Sequence, residues 1–173
     1  MAEERKGAVT MRGNPVTLVG SEIKQGQKAP DFHAVGKGLA PVSLDSFKGK
    51  VKVISVVPSI DTPVCDAQTR RFNEEAAKLG DAQVLTVSMD LPFAQARWCG
   101  AAGVDKVTMV SDFKDKDFGT KYGVLMKETG LLARAVFVVD KNDNVTHAEY
   151  VKDVASHPDY DATLSAAKKA ASA

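Results

Sequence analysis

The run Val51-Lys52-Val53-Ile54-Ser55-Val56-Val57, closed by Pro58, constrains this chain more than any other segment. Its density of β-branched residues is that of a buried strand, and a proline cannot continue the ladder. A buried strand needs helices above and below its sheet, which points to an α/β domain. Just beyond, Thr62 and Pro63 supply an N-cap and a proline at the first helical position. Val64, Phe72, Ala76 and Leu79 then fall on one helical face, and Gly80 ends the segment. Glu74 and Lys78 are expected to pair at i,i+4 on the opposite face. The chain therefore passes from strand to helix in a few residues, with Cys65 in the helix's first turn.

The remaining segments fit around that unit. Val9–Arg12, Gly13-Asn14 and Pro15–Leu18 read as a hairpin, and the polar residues 1–8 ahead of it as a flexible tail. Residues 9–173 then form a single domain, a length sufficient for one core. Gly26 to Pro41 has the composition of an irregular lead-in. Gln83–Ser88 and Thr108–Ser111 read as strands. A helix runs from about Asp90-Leu91-Pro92 to Gly100, and a short one covers Lys114–Tyr122. Ala135–Asp140 and Val145–Tyr150 flank Lys141-Asn142-Asp143-Asn144 as an antiparallel hairpin, and a last helix starts at Pro158-Asp159. The expected fold is a central mixed β-sheet flanked by helices, with an N-terminal β-hairpin extension.

Composition narrows the function. With 44% hydrophobic and 26% charged residues and a net charge of +1, the chain has neither a basic stripe for nucleic acid nor a polybasic membrane anchor. No apolar run reaches the roughly 20 residues that span a bilayer. The polar start lacks the apolar core of a secretory signal, so a cytoplasmic location is expected. His33, His147 and His157 have no metal-ligand spacing with the cysteines, and no cofactor motif is present. Asp112, Asp115 and Asp117 lack the spacing of a calcium loop and read as a solvated acidic face.

Cys65 and Cys99 are the only cysteines. In a reducing compartment such a pair points to redox chemistry rather than to a permanent staple. At the third helical position, the Cys65 N–H is one of the unpaired donors of the first turn, and the Thr62 oxygen is placed to accept it. Free amides and the helix dipole favour a thiolate there. Asp61 and Asp66 oppose it, so a cation must reach the site from elsewhere. Ionisation alone is not enough. An unperturbed thiol is already a few per cent ionised, and completing that gains only about 30-fold, or roughly 2 kcal/mol. A larger acceleration requires donors around the group that leaves when the sulfur attacks.

The pattern Pro58-x-x-x-Thr62-x-x-Cys65 resembles the active-site signature of the peroxiredoxins. Longer stretches resemble their bacterial thiol peroxidase branch: Gly13-Asn14-Pro15-Val16, Ser59–Cys65, Asp90-Leu91-Pro92-Phe93-Ala94-Gln95, Cys99-Gly100-Ala101 and Leu132-Ala133-Arg134-Ala135. The likeness extends over residues 9 to 167. It implies a thioredoxin-like fold and an atypical two-cysteine cycle within one chain. By that resemblance Cys65 attacks the peroxide and becomes a sulfenic acid, Thr62 hydrogen-bonds thiolate and substrate, and Pro58 shields the sulfur from water. Arg134 is the distant cation. Cys99 resolves the sulfenic acid to a disulfide that thioredoxin reduces, and a homodimer is implied. Trp98 stands where relatives often carry another aromatic residue, and Gln83–Ser88 lacks the cysteine some relatives have.

A bridge needs Cα atoms within about 7 Å, and the two cysteines fall on separate helices. The first turn around Cys65 and the Cys99 helix are therefore expected to unwind for the bond to form, aided by Gly100 and Gly103. Two other functional classes use the same residues: a redox relay that oxidises a partner protein, and a binding module with inert thiols. Disulfide isomerisation is disfavoured, because there is no C-x-x-C pair.

Overall fold

The computed structural model describes residues 1–173. The chain opens with the expected hairpin, β1 (Glu4–Met11) and β2 (Asn14–Val19), paired from Met11↔Asn14 back to Glu4↔Val19. Residues 1–8 are thus not simply a tail, since the strand begins at Glu4. Arg5 explains the early start: its Nε donates to Gly20 O at 3.0 Å, its Nη2 to Gly123 O, and its guanidinium stacks 5.2 Å from the Tyr150 ring centroid. Side-chain polarity conceals a strand whose order comes from backbone pairing and a remote ring.

The lead-in region carries two short strands, β3 (Ala34–Val35) and β4 (Pro41–Val42), with Pro41 on a sheet edge where its missing N–H does no harm. The order then follows the sequence closely: β5 (Lys52–Val56), α1 (Pro63–Ala76), β6 (Gln83–Ser88), α2 (Pro92–Ala102), β7 (Val107–Ser111) and α3 (Asp117–Lys121). After β8 (Leu125–Met126) come the hairpin β9 (Ala135–Val139) and β10 (Val145–Tyr150), and finally α4 (Tyr160–Ala171). Helix α2 passes through Gly100 and stops at Gly103, whose left-handed backbone (φ 70) forms the C-cap. The Glu74–Lys78 pair does not form. Lys78 meets Glu75 at 3.3 Å instead, because Ala77–Leu79 tightens into a 3-10 turn that brings i+3 into line.

The main sheet is seven-stranded in the order β10-β9-β5-β6-β7-β3-β4, and β1-β2-β8 form a smaller one. β5, β6 and β7 are parallel, while β9 runs antiparallel to β5. Alternation along β5 builds two cores. Val53 joins Phe72 and Ala76 of α1 and Leu164, Ala167 and Ala170 of α4, whereas Ile54 and Val56 join Phe32, Phe118, Tyr122 and Phe137 on the other face. The fold is the expected mixed sheet flanked by helices, with the N-terminal hairpin in a separate small sheet. No helix is long and apolar enough to cross a membrane.

Strand register sets up the site. β5 and β6 run parallel with Val56 opposite Val87, so the segments after both strands leave the same end of the sheet. β9 enters at that end, with Ala135 opposite Val56. Residues 58–65, Asp90 and Arg134 are brought together by this geometry.

Candidate active site

The Cys65 sulfur lies at the start of α1 with no exposed surface (0%). Asp66 N closes the first helical bond on Thr62 O at 2.9 Å, which leaves the N–H groups of Val64 and Cys65 unpaired at the helix end. Thr62 has extended backbone angles, as an N-cap should, but its side chain does not cap. Its hydroxyl donates to Ser59 O at 3.2 Å, closing the same turn as its own N–H. The expectation that the Thr62 oxygen accepts from Cys65 N–H is therefore not met. The tight Ser59–Thr62 turn presents a nearer carbonyl, and the Cys65 amide is left free for another acceptor.

Arg134 supplies the cation. It is 2% exposed and every donor group has a separate partner: Nε to Val154 O at 2.9 Å, Nη1 to Gln68 Oε1 at 2.9 Å and Nη2 to Cys65 Sγ at 3.2 Å. It forms no ion pair with any carboxylate. A buried guanidinium without a counter-anion is strongly unfavourable. Cys65 is the one partner here that can carry negative charge, so the arrangement accommodates a thiolate–guanidinium pair.

Gln68 is a residue that sequence reasoning missed. One turn on from Cys65, it accepts from Arg134 and donates through Nε2 to Ser55 Oγ at 2.7 Å, with both side chains buried. Its i+3 spacing from Cys65 was the available signal. The sequence marks Asp90 only as part of a helix start. Its carboxylate in fact accepts from Ser59 Oγ (2.8 Å), Ile60 N (2.9 Å) and Ser88 Oγ (2.7 Å). This ties the loop before Cys65 to the lead-in of α2. Tyr160, at the start of α4, borders the site, and burial raises its phenol's pKa against the opposing fields of Arg134 and Arg71. Pro58 is buried at the end of the strand.

Cys99 is placed apart from these groups. It is half-buried on α2, and both cysteines are free thiols. It lines a cavity of about 720 Å³ together with Lys37, Gln95, Ala96, Val104 and Met109. Burial pushes the Cys99 thiol up, and the charge of Lys37 only partly offsets this. The acidic run also departs from the expected solvated face: Asp112 is buried and accepts from Phe118 N (3.0 Å) and Gly119 N (2.8 Å) at the start of α3.

The Redoxin family pattern matches residues 24–164 of the chain. A thiol peroxidase of Bacillus subtilis is 60% identical over 160 residues, covering 92% of this chain and 96% of that protein. One from Halalkalibacterium halodurans is 58% identical over 163 residues, covering 94% and 98%. The crystal structure of a peroxiredoxin-like protein from Aquifex aeolicus superimposes with a TM-score of 0.88 at 43% identity, covering 95% of this chain and 98% of that one. Taken with the cysteine–guanidinium geometry, these likenesses establish that the chain belongs to the Redoxin family, as a peroxiredoxin of the bacterial thiol peroxidase branch.

Proposed function

We propose that Cys65 is the peroxidatic nucleophile, reducing hydrogen peroxide and organic hydroperoxides to water and alcohols. The Cys65 thiolate attacks one peroxide oxygen, the O–O bond breaks, and the departing oxygen anion takes a proton to leave as water or alcohol. The sulfur is left as a sulfenic acid. Arg134 Nη2 already points at the sulfur, and the free amides of Val64 and Cys65 are donors for the oxygens around it. Thr62 sits at the mouth with Asp61 and Pro63, all exposed, so movement of this turn admits a small substrate to the buried sulfur. Pro58, buried just after the strand, is assigned the role of shielding the sulfur from water.

Cys99 then attacks the Cys65 sulfenic sulfur, water leaves, and a disulfide joins the two helices. A dithiol reductant, thioredoxin, attacks that disulfide and restores both thiols, which suits a cytoplasmic enzyme. The half-buried Cys99 thiol, whose pKa burial raises, supports an order of events in which α2 opens before Cys99 reacts. A homodimer fits the exposed apolar side chains Leu39, Leu91 and Phe93, the last 66% exposed.

The single observation that carries this reading is the bond to the Cys65 sulfur from Arg134, which is buried and pairs with no carboxylate. Thioredoxin-coupled peroxide consumption tests it. Cys65→Ser should abolish consumption, and Cys99→Ser should leave one stoichiometric turnover without cycling. Sustained cycling by the Cys65→Ser protein would contradict the assignment.

A further inference from the structure

Joining Cys65 to Cys99 requires both α1's first turn and α2's last turns to open, since each sulfur belongs to its own helix. One side chain spans the seam between those two segments. Arg70 Nε donates to Asp66 Oδ1 at 2.8 Å, and Asp66 directly follows Cys65. Arg70 Nη1 donates to Ala102 O at 3.2 Å, and the guanidinium lies 5.6 Å from the centroid of the Trp98 ring. Trp98 directly precedes Cys99, and Ala102 is the last residue of α2. At that helix end the N–H groups of Gly103 and Val104 both turn back to Cys99 O, so the Ala102 carbonyl is left for an outside donor. A cation there also suits the helix dipole. Nearby, Asn73 Oδ1 accepts from Lys106 N at 2.8 Å, just past α2. Arg70 therefore touches the immediate neighbours of both cysteines.

We infer that Arg70 is a positioning residue for the resolving step, latching the Cys65 helix to the Cys99 helix and setting how fast the two open for disulfide closure. The inference rests on the cysteine roles proposed above. Once Cys65 is a sulfenic acid it has two fates. Attack by the Cys99 thiol forms the S–S bond and releases water. Attack on a second peroxide transfers one more oxygen to Cys65, gives a sulfinic acid, and releases water or alcohol. The longer the latch holds, the larger the second fraction. Arg70 and Asp66 are partly exposed, at 46% and 37%. Exposed ion pairs and cation–π contacts are individually weak, so the latch corresponds to about a five-fold change in closing rate.

Reduced full-length protein is mixed with hydrogen peroxide, quenched in acid at intervals, alkylated and resolved by mass into thiol, disulfide and sulfinic forms. Arg70→Gln should close the disulfide about five-fold faster and accumulate correspondingly less sulfinic acid at excess peroxide. Arg70→Lys, which keeps a cation near Trp98 without the guanidinium fork, should fall between it and the parent. Peroxide consumption in a Cys99→Ser background should be the same with Arg70 or Gln at that position. Lys78→Gln, which removes an ion pair from α1 without touching α2, should close at the parent rate. Closure by Arg70→Gln at or below the parent rate would overturn the latch. If that variant does not fold, Arg70→Lys decides: faster closure supports the latch and an unchanged rate overturns it. If the parent forms no Cys65–Cys99 disulfide, the cysteine roles themselves fail and the latch fails with them.

Discussion

Arg134 and Gln68 act as one unit at the residue scale, because the amide holds the guanidinium at the angle from which it reaches the sulfur. Arg134→Lys keeps the charge but cannot satisfy Val154 O, Gln68 and Cys65 together. It should lower kcat/KM for peroxide by at least about ten-fold, while loss of the donor in Arg134→Gln should lower it by about a hundred-fold. Gln68→Leu strands both Ser55 Oγ and Arg134 Nη1 in a buried setting. It should destabilise the protein by about 1–3 kcal/mol in urea titration and also slow the peroxide step. The sequence was informative here wherever chemistry is local. Thr62, Pro63 and Cys65 declare a helix start by their order alone, and the opposition of Asp61 and Asp66 shows that a remote cation is needed. Which cation is not local information, since Arg134 stands 69 positions from Cys65 and reaches it through strand register. Only the family resemblance singled it out. The cap expected from the Thr62 oxygen to the Cys65 N–H does not form, because the choice between a helix amide and a turn carbonyl is decided by a rotamer.

Two carboxylates at the element scale make opposite demands on pH. Asp153 holds the tip of the β1–β2 hairpin, accepting from Thr10 Oγ1 (2.7 Å), Gly13 N (3.0 Å) and Ala155 N (2.9 Å). These bonds, Thr10 first, depress its pKa from 3.8 to about 2. A depressed carboxylate stabilises the fold above its unfolded pKa and loses that contribution as pH falls from about 4 to about 2. Asp153→Asn should therefore flatten the acid limb of the stability curve in that window, read by circular dichroism. Asp112 has the opposite sign, because burial raises it to about 6 and its two backbone donors only partly compensate. Its ionisation weakens the fold as pH rises from about 4 to about 6, so Asp112→Asn should remove that decline. The long strands and helices were legible because periodicity needs length to register. β3, β4 and β8 were not, since two residues carry no period and exist only by pairing with a neighbour. β1 was half-seen for a related reason: its outer residues are polar and its order comes from β2 and from Arg5.

For the whole molecule, the roles proposed above divide the labour between the two cysteines. Cys65 is buried against a cation, and Cys99 is a neutral thiol at a cavity wall, so the folded reduced state favours the first reaction and withholds the second. Oxidation should therefore raise amide exchange in the first turn of α1 and around Cys99 while the sheet stays protected. Equal protection in both redox states would contradict an opening step. Phe93→Asp should shift the protein from dimer to monomer in light scattering if Leu39, Leu91 and Phe93 form the contact between copies. The most direct measurement is single-turnover stopped flow with hydrogen peroxide on Cys99→Ser protein, with Arg134 intact or replaced by Gln, followed by trapping of sulfenic acid with a dione probe. The expected result is one equivalent of peroxide consumed, the probe on Cys65, and a rate about a hundred-fold slower without the guanidinium. Equal rates in the two proteins, or consumption without the probe on Cys65, would show that the Arg134–Cys65 pair is not the centre of the chemistry.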